Sequence, residues 1–475
     1  MSQNRVSRLF LPAAILLLAT GNRLNAQSAQ TLTMAQALDA TARNYPALKA
    51  RLAETAAARS ETNAMKAGYL PSVIWQNQAL YATSNQVRGT FFPNEGTAIP
   101  TSGGIKPNGY TSNAVWTSFS TLFVNWKAIN FGKYKADLSA AHAGEATAQA
   151  AYDRALFEQR VQTADAYLLT IIFDQATRIQ QANLNRVRDF QTVMLAGSRA
   201  GLRPGVDSSL AAAEVSKAEL LLLESQRIAQ AQRLRLSELT GVPVASIKLD
   251  TTAFRRAAPQ VFEIPDSSIA ANPILRYYRR RIDFGQARQR AIRQSYWPSI
   301  SVIGGLWARG SGISDKTADN GDFIYNSSLG AGLPFRAYNY LAGVSMNWRV
   351  SDIFRIRREE QTQQFRNESA RHDYDEQALR IKTQQETAEL QLGNAYEALK
   401  KVPVQLAAAQ AAFSQANSRY GAGLSSILEL TQATAVLNRA EIDQSVAVNN
   451  VWRYLLLKAA AAGSIDDFLK LTSQP

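Results

Sequence analysis

Apolar and polar positions follow two rhythms along the chain. Tyr338, Tyr340, Ala342, Val344, Met346 and Trp348 share one face of a period-two run, while Asn339, Gly343, Ser345 and Asn347 dominate the other. Such alternation marks a strand with two unlike faces. Val115, Thr117, Phe119, Thr121 and Phe123 oppose Ser118 and Ser120 in the same way, and runs at 73–83 and 300–307 alternate less cleanly. The spacing predicts four strands, at about 72–83, 112–125, 299–309 and 337–348. The second rhythm repeats every seven residues: Ala211, Val215, Ala218, Leu222, Ser225, Ala229, Gln232, Leu236 and Leu239 in one stretch, and Leu430, Ala433, Leu437, Ala440, Gln444, Ala447 and Val451 in another. A sustained seven-residue seam predicts paired helices, here at about 133–200, 207–240, 354–420 and 426–462. No proline interrupts Lys133 to Ala200, and only Pro403 interrupts Arg355 to Tyr420. At 1.5 Å per residue, ~68 residues span about 100 Å, far more than a globular domain needs.

The same order of elements occurs twice. Pro46 precedes the Tyr69-Leu70-Pro71-Ser72 turn as Pro273 precedes Tyr296-Trp297-Pro298-Ser299, with the two segments 227 residues apart. Asn125-Trp126 and Asn347-Trp348, Tyr152-Asp153 and Tyr374-Asp375, Gly201-Leu202 and Gly423-Leu424, Asp207 and Glu429, and Gly241 and Gly463 all lie 222 apart. A register held this long indicates a duplicated unit. The expected division is a first repeat at 31–241, a linker at 242–264, a second repeat at 265–463 and a tail at 464–475. Each repeat opens with a helical pattern, capped by Thr33 in the first and by Asp266 or Ser267 in the second. The pattern ends near the Tyr-x-Pro-Ser turn, because proline lacks an amide and restricts the residue before it.

Residues 1–26 read as a secretory signal: Arg5 and Arg8, an apolar run from Leu11 to Ala19, and Leu24-Asn25-Ala26 before the cleavage point. That run is too short for a membrane-spanning helix, and no later stretch is long and apolar enough. Any membrane insertion must therefore use strands. Each strand is about 10 residues long, enough for a tilted crossing. Six of the seven tryptophans, at 75, 116, 126, 297, 307 and 348, lie in or beside the strands, joined by Tyr81, Tyr338 and Tyr340. Amphipathic rings at both lipid headgroup levels would give this pattern; aromatic packing in a soluble sheet is the alternative. Four strands cannot close a membrane barrel, whose smallest form has about 8, so several chains must contribute. The polar loops 84–110 and 310–336 would lie on the outer side.

Composition narrows the chemistry. The absence of cysteine removes disulfides, thiol nucleophiles and thiolate-bound metals. The net charge of +14 falls to +11 without Arg5, Arg8 and Arg23. The basic run Arg276, Arg279, Arg280, Arg281, Arg288, Arg290 and Arg293 lacks aromatic interleaving and any nucleic-acid fold signature, so it reads as a solvated outer helix face rather than a nucleic-acid site. His372-Asp373-Tyr374-Asp375-Glu376 is contiguous on a helix, and its side chains point in different directions, which disfavours a metal site. His142 is isolated. No nucleophile, base and acid set emerges, so the expectation is a protein that is not an enzyme and uses no cofactor.

Leu32-Thr33-Met34-Ala35-Gln36-Ala37-Leu38 with Asn44-Tyr45-Pro46, the Leu70-Pro71-Ser72 strand entry, and the Gly-x5-acid turns at Gly201/Asp207 and Gly423/Glu429 together resemble the TolC-like outer-membrane efflux protein family. The likeness covers nearly all of the mature chain. It implies a mainly α protein with transmembrane β structure: a homotrimer in which each chain gives four strands to a twelve-stranded barrel in outer-membrane lipid and its helices to a long periplasmic α-helical barrel. Such a protein is a passive export duct of a Gram-negative-type cell, the channel subunit of a tripartite efflux or type I secretion system. It docks on a periplasmic adaptor and an inner-membrane pump. The resemblance also implies a periplasmic gate, with Tyr420, Glu429 and Asp207 in gate positions and Gly201, Gly205, Gly421 and Gly423 at the helix-turn-helix tips. A gating arginine falls at Ser425 here and a second acidic ring residue at Gln432, so an ionic lock would be built differently, with Arg203 and Arg419 as candidates. Asp207 and Glu429 read equally well as helix N-terminal carboxylates that favour the dipole. The competing reading is an exported coiled-coil structural or adaptor protein without a pore, which accounts for the helices but not for the strands or the duplication.

Overall fold

The computed structural model describes residues 31–85, 110–201, 204–255 and 271–473. Thr33 caps α1 (Met34–Asn44) with a reciprocal pair of hydrogen bonds: its Oγ1 accepts from Gln36 N at 3.2 Å, and Gln36 Oε1 accepts from Thr33 N at 3.0 Å. Two orphan amides of the first turn are satisfied this way. The opening helical run is broken at Tyr45, which is extended because Pro46 disfavours the helical conformation before it. Pro46 then starts α2 (Pro46–Ala67), where a missing amide costs nothing. In the second half α5 (Pro273–Gln294) likewise begins on a proline, with Asn272 Oδ1 accepting from Ile274 N at 2.9 Å. The caps expected at Asp266 or Ser267 lie outside the described residues, as do the signal segment and Arg203.

β1 (Ser72–Thr83), β2 (Ala114–Ile129) and β3 (Ser299–Ser311) form an antiparallel sheet that a fourth strand completes. β2 runs four residues past the expected end, with a register shift between Trp126 and Ile129. The expected outer loop 310–336 is structured: after β3 come β4 (Ile313–Thr317), β5 (Phe323–Tyr325) and the single-turn α6 (Leu329–Gly332). Arg336 gathers this segment, donating to the carbonyls of Ser311 and Ile313 at 3.0 and 3.1 Å and pairing with Asp315 at 2.7 Å. The segment folds against β2, where Ser118 Oγ donates to Leu333 O at 2.8 Å. Most of the other outer loop, residues 86–109, is outside the described residues. β6 (Ala337–Asn347) pairs with β3 and gives the order β1-β2-β3-β6. Both edge strands are exposed along their whole length.

The helix end of the sheet repeats one device in each half. Trp126 Nε1 donates to Tyr69 O, and Trp348 Nε1 donates to Tyr296 O, both at 3.1 Å. Each bond pins the exit of one strand to the proline turn that enters its neighbour. Beyond it run α3 (Lys133–Arg199, 67 residues) and α7 (Asp352–Gly421, 70 residues), each about 100 Å long. α7 continues through Pro403 without a break. The return helices are α4 (Gly205–Thr240) and α8 (Ile427–Ala461), and no helix among the described residues is long and apolar enough to cross a membrane.

The seven-residue seam is the buried face of both return helices: Ala211, Val215, Ala218, Leu222, Ala229, Leu236 and Leu239 in α4, and Leu430, Leu437, Ala440, Ala447 and Val451 in α8. Its polar members are accommodated, as where Ser225 and Thr177 share a hydrogen bond of 3.1 Å. The main core lies midway along the helices, where Leu38, Tyr167, Leu168, Leu236, Trp452 and Leu455 meet. Tyr167 donates to Leu32 O at 2.7 Å and lies 2.9 Å from Asp250 O, tying the chain start to the segment after α4. Burial, reinforced by the Asp250 charge, pushes its phenol well above the usual range. Ile247 and Phe254, within the expected linker, are buried in this core. So is Phe468 of α9 (Ile465–Ser473), within the expected tail.

Candidate functional site: the helical tips

The two long hairpins turn at the end of the molecule away from the sheet. α7 closes with paired bonds, Gly423 N donating to Tyr420 O at 3.0 Å and Leu424 N to Arg419 O at 2.8 Å. This closure needs a left-handed residue, and Gly423 supplies it with φ +75°. Gly201 plays the same part after α3, at φ +70° with its amide donating to Ser198 O at 3.1 Å. Gly205 and Gly421 are different. Both sit inside helices, neither has a positive φ, and a Cβ on either would meet open space.

Asp207 and Glu429 each occupy the first turn of a return helix. Glu429 N donates to Ser426 Oγ at 3.4 Å, the capping arrangement expected of Ser426. Both carboxylates thus favour the helix dipole. Their remaining contacts differ. The Tyr420 hydroxyl donates to Asp207 Oδ2 at 3.4 Å and also lies against Met194 Sδ. The Glu429 carboxylate faces Arg419 at 3.9 Å, with both side chains about half exposed. The structure therefore joins Tyr420 to Asp207 across the two hairpins, while the Glu429 contact stays within the second hairpin. Ser425 Oγ is buried without a hydrogen-bond partner among the described residues, and Gln432 is exposed.

Tyr420 is 2% exposed. Its ring packs on Phe190, centroids 5.5 Å apart, in a cluster that takes Met194 from α3, Ala211 from α4, Ala416 from α7, and Ile427 and Leu430 from α8. All four long helices therefore meet around one tyrosine. Further from the tip, Arg186 on α3 makes a bidentate pair with Glu441 on α8 at 2.8 and 2.7 Å, both side chains 23% exposed. A cavity of about 550 Å³ lies between these two cross-hairpin links, lined by Asn183, Phe190, Phe413 and Asn438 among others. The pattern along the chain pointed to none of Phe190, Met194, Arg186 or Glu441. The only available signal was the helical phase that turns Phe190 and Met194, four residues apart, to the same face.

In the run 372–376, Asp373 pairs with Arg281 at 3.1 Å and Glu376 with Arg380 at 2.5 Å. No group of three or more metal-ligating side chains occurs among the described residues. Two hairpins are thus held together at their ends by one buried ring and a hydrogen bond to a carboxylate, and further along by an ion pair.

No protein of curated function matches the chain. Among solved structures it is similar to the outer-membrane channel OprN, with 20% identity and a TM-score of 0.71 over 91% of this chain and 90% of that one. VceC from Vibrio cholerae gives 15%, 0.70, 91% and 96% on the same measures, and the CmeC channel of Campylobacter jejuni gives 12%, 0.71, 98% and 96%. At such identities the likeness is one of fold. The family model for outer membrane efflux proteins, however, matches residues 20–242 and 264–453, most of the length. The chain belongs to the outer membrane efflux protein family.

Proposed function

We propose that three copies of this chain form a passive export duct, with a twelve-stranded barrel in the outer membrane and a closed helical tunnel in the periplasm. The observation that carries this reading is the pair of open sheet edges. β1 and β6 are exposed throughout, and their apolar side chains are unprotected: Trp75 is 74% exposed, Tyr340 82% and Val344 71%. Unpaired strand edges are not tolerated in lipid, so β6 of one copy must pair with β1 of the next until the ring closes. Two copies would give about 8 strands, whose interior is filled by side chains; three leave room for a channel. The 12 residues of β1 extend ~40 Å, and a tilt of ~40° brings that near the ~30 Å of a bilayer core.

Within the duct the hairpin tips form the periplasmic gate. Tyr420 and Asp207 hold the second hairpin against the first in each copy, and Arg419 with Glu429 supplies the remaining charge pair at the turn. Gly201 and Gly423 shape the tips, whereas Gly205 and Gly421 are permissive positions. The duct performs no chemistry. Its cargo arrives through a periplasmic adaptor and an inner-membrane pump that engage the tip end, in a tripartite efflux or type I secretion system.

Ring closure is testable with engineered cysteines, because the natural chain has none. A panel of single pairs, one cysteine at an odd position of 73–83 and one at an even position of 338–346, which share one face of the sheet through the Trp75, Leu122, Leu306 and Tyr340 register, should include pairs that oxidise into a ladder ending at three subunits. A ladder ending at two, or no intermolecular bond from any pair, would contradict the proposed ring.

A further inference from the structure

At the junction between sheet and helices the charge distribution is strongly one-sided. Lys66 lies at the end of α2, and Lys127, Lys133 and Lys135 flank the β2 to α3 passage. Arg288, Arg290 and Arg293 occupy the last two turns of α5, and Arg349, Arg355, Arg357 and Arg358 flank the β6 to α7 passage. Against these eleven basic residues the same four stretches, 62–71, 126–137, 288–298 and 348–358, hold two acids, Asp137 and Asp352. Asp137 and Asp352 are paired within their own helices, to Lys133 and Arg355; of the glutamates bordering these stretches, Glu359 also pairs with Arg355 and Glu360 with Arg293, and Glu61 lies just before the first, so the bases still outnumber the acids by about two to one. Among the described residues the opposite end of the sheet shows no such bias, since 309–336 contain Asp315, Asp319 and Asp322 against Arg309, Lys316 and Arg336. All but Lys133 of the basic set are exposed, and Arg288, Arg290 and Arg357 make no ion pair among the described residues. Directly above, on the sheet side, stand the half-exposed rings of Trp126, Trp297 and Trp348.

An aromatic row followed within one or two helical turns by a basic row has a plain physical reading. Indole rings settle at the headgroup level, and lysine and arginine just outside it meet the phosphates of anionic lipid. We infer that this girdle binds anionic glycerophospholipid headgroups of the leaflet facing the periplasm, and that the bound lipid fixes the depth of the barrel in the membrane. The inference rests on the proposed membrane-crossing role of the sheet. It commits to the inner leaflet because the basic residues lie on the helix side of the strands, away from the loop side where the charges are mixed.

The test uses the full-length oligomer reconstituted into two kinds of vesicle, phosphatidylcholine alone and phosphatidylcholine with phosphatidylglycerol. The readouts are co-flotation and, after detergent extraction, retained phosphatidylglycerol by native mass spectrometry. A basic side chain at an anionic surface is worth about fivefold in binding. The triple variant Arg288→Gln, Arg290→Gln, Arg357→Gln should therefore retain at least about tenfold less phosphatidylglycerol while still floating with both vesicles. The variant Lys217→Gln, Arg227→Gln, Arg235→Gln removes the same charge from exposed positions of α4 and should retain lipid like the natural chain. Molar salt should abolish the difference, as the screening length falls to about 3 Å. Flotation with both vesicles but equal lipid retention by all three proteins overturns the lipid site alone. Failure of the natural chain to float with either vesicle overturns the membrane-crossing reading and the girdle with it.

Discussion

Tyr420 offers two separable ways of holding the hairpins together, and their magnitudes differ enough to rank. Tyr420→Phe removes only the hydroxyl. A hydrogen bond to a charged group contributes about 1.5–3 kcal/mol at good geometry, but the 3.4 Å separation from Asp207 is beyond the usual range. About 1 kcal/mol is the reasonable loss, roughly fivefold in the ratio of closed to open tips. Tyr420→Ala removes a ring that is 2% exposed and packed against Phe190, Met194 and Leu430. Truncating a buried aromatic side chain costs about 3–5 kcal/mol, a factor of at least 100. The expected order of open-channel probability in planar bilayers is natural chain, then Tyr420→Phe with a small increase, then Tyr420→Ala with a large one. Asp207→Asn should resemble Tyr420→Phe. Equal, large increases for the phenylalanine and alanine variants would refute the reasoning, because the hydroxyl would then be the latch and the ring only its support.

Three further outcomes are expected. Arg186→Met leaves the carboxylate of Glu441 partly buried without its partner and should raise open probability, while the double variant with Glu441→Leu recovers part of the loss; a double-mutant cycle should give a coupling of about 1–3 kcal/mol. Gly423→Ala forces a side chain into the left-handed region at φ +75° and should lower thermal stability by about 1 kcal/mol, whereas Gly421→Ala, helical and unobstructed, should be neutral or slightly stabilising; thermal melts of the two variants check the contrast. Tyr167→Phe removes the single hydroxyl donor that lies between the carbonyls of Leu32 and Asp250 in the core, while Leu32 O keeps the Asp250 amide at 3.1 Å, and should cost about 1–2 kcal/mol in denaturant titrations, with no change in conductance.

Period and proline content made the large elements readable, because a 67-residue helix and an alternating strand announce themselves locally. The duplication added a register that no single element could supply. What stayed hidden depends on contacts distant in sequence. The order of 310–336 rests on Arg336 collecting carbonyls up to 25 residues away, while its composition is that of a loop. α9 has nine residues, too few for periodicity to stand out, and it is buried because Phe468 reaches Trp452. Ile247 and Phe254 are isolated apolar positions that become core only when Tyr167 ties their segment down. At the tips, Tyr420 and Asp207 were reached through family resemblance. Met194 lies 226 residues from Tyr420, and Arg186 lies 255 from Glu441, so local pattern could not assign either partner.

Single-channel recording of the detergent-purified oligomer, after its mass has been measured, decides whether the chain forms a trimeric duct closed at its helical tips. A three-subunit particle is expected, inserting into a planar bilayer with a small, long-lived conductance that Tyr420→Ala raises sharply. A water-soluble particle of any size that never conducts, in the natural form or as Tyr420→Ala, would contradict the trimeric duct and return the helices to the role of a coiled-coil scaffold.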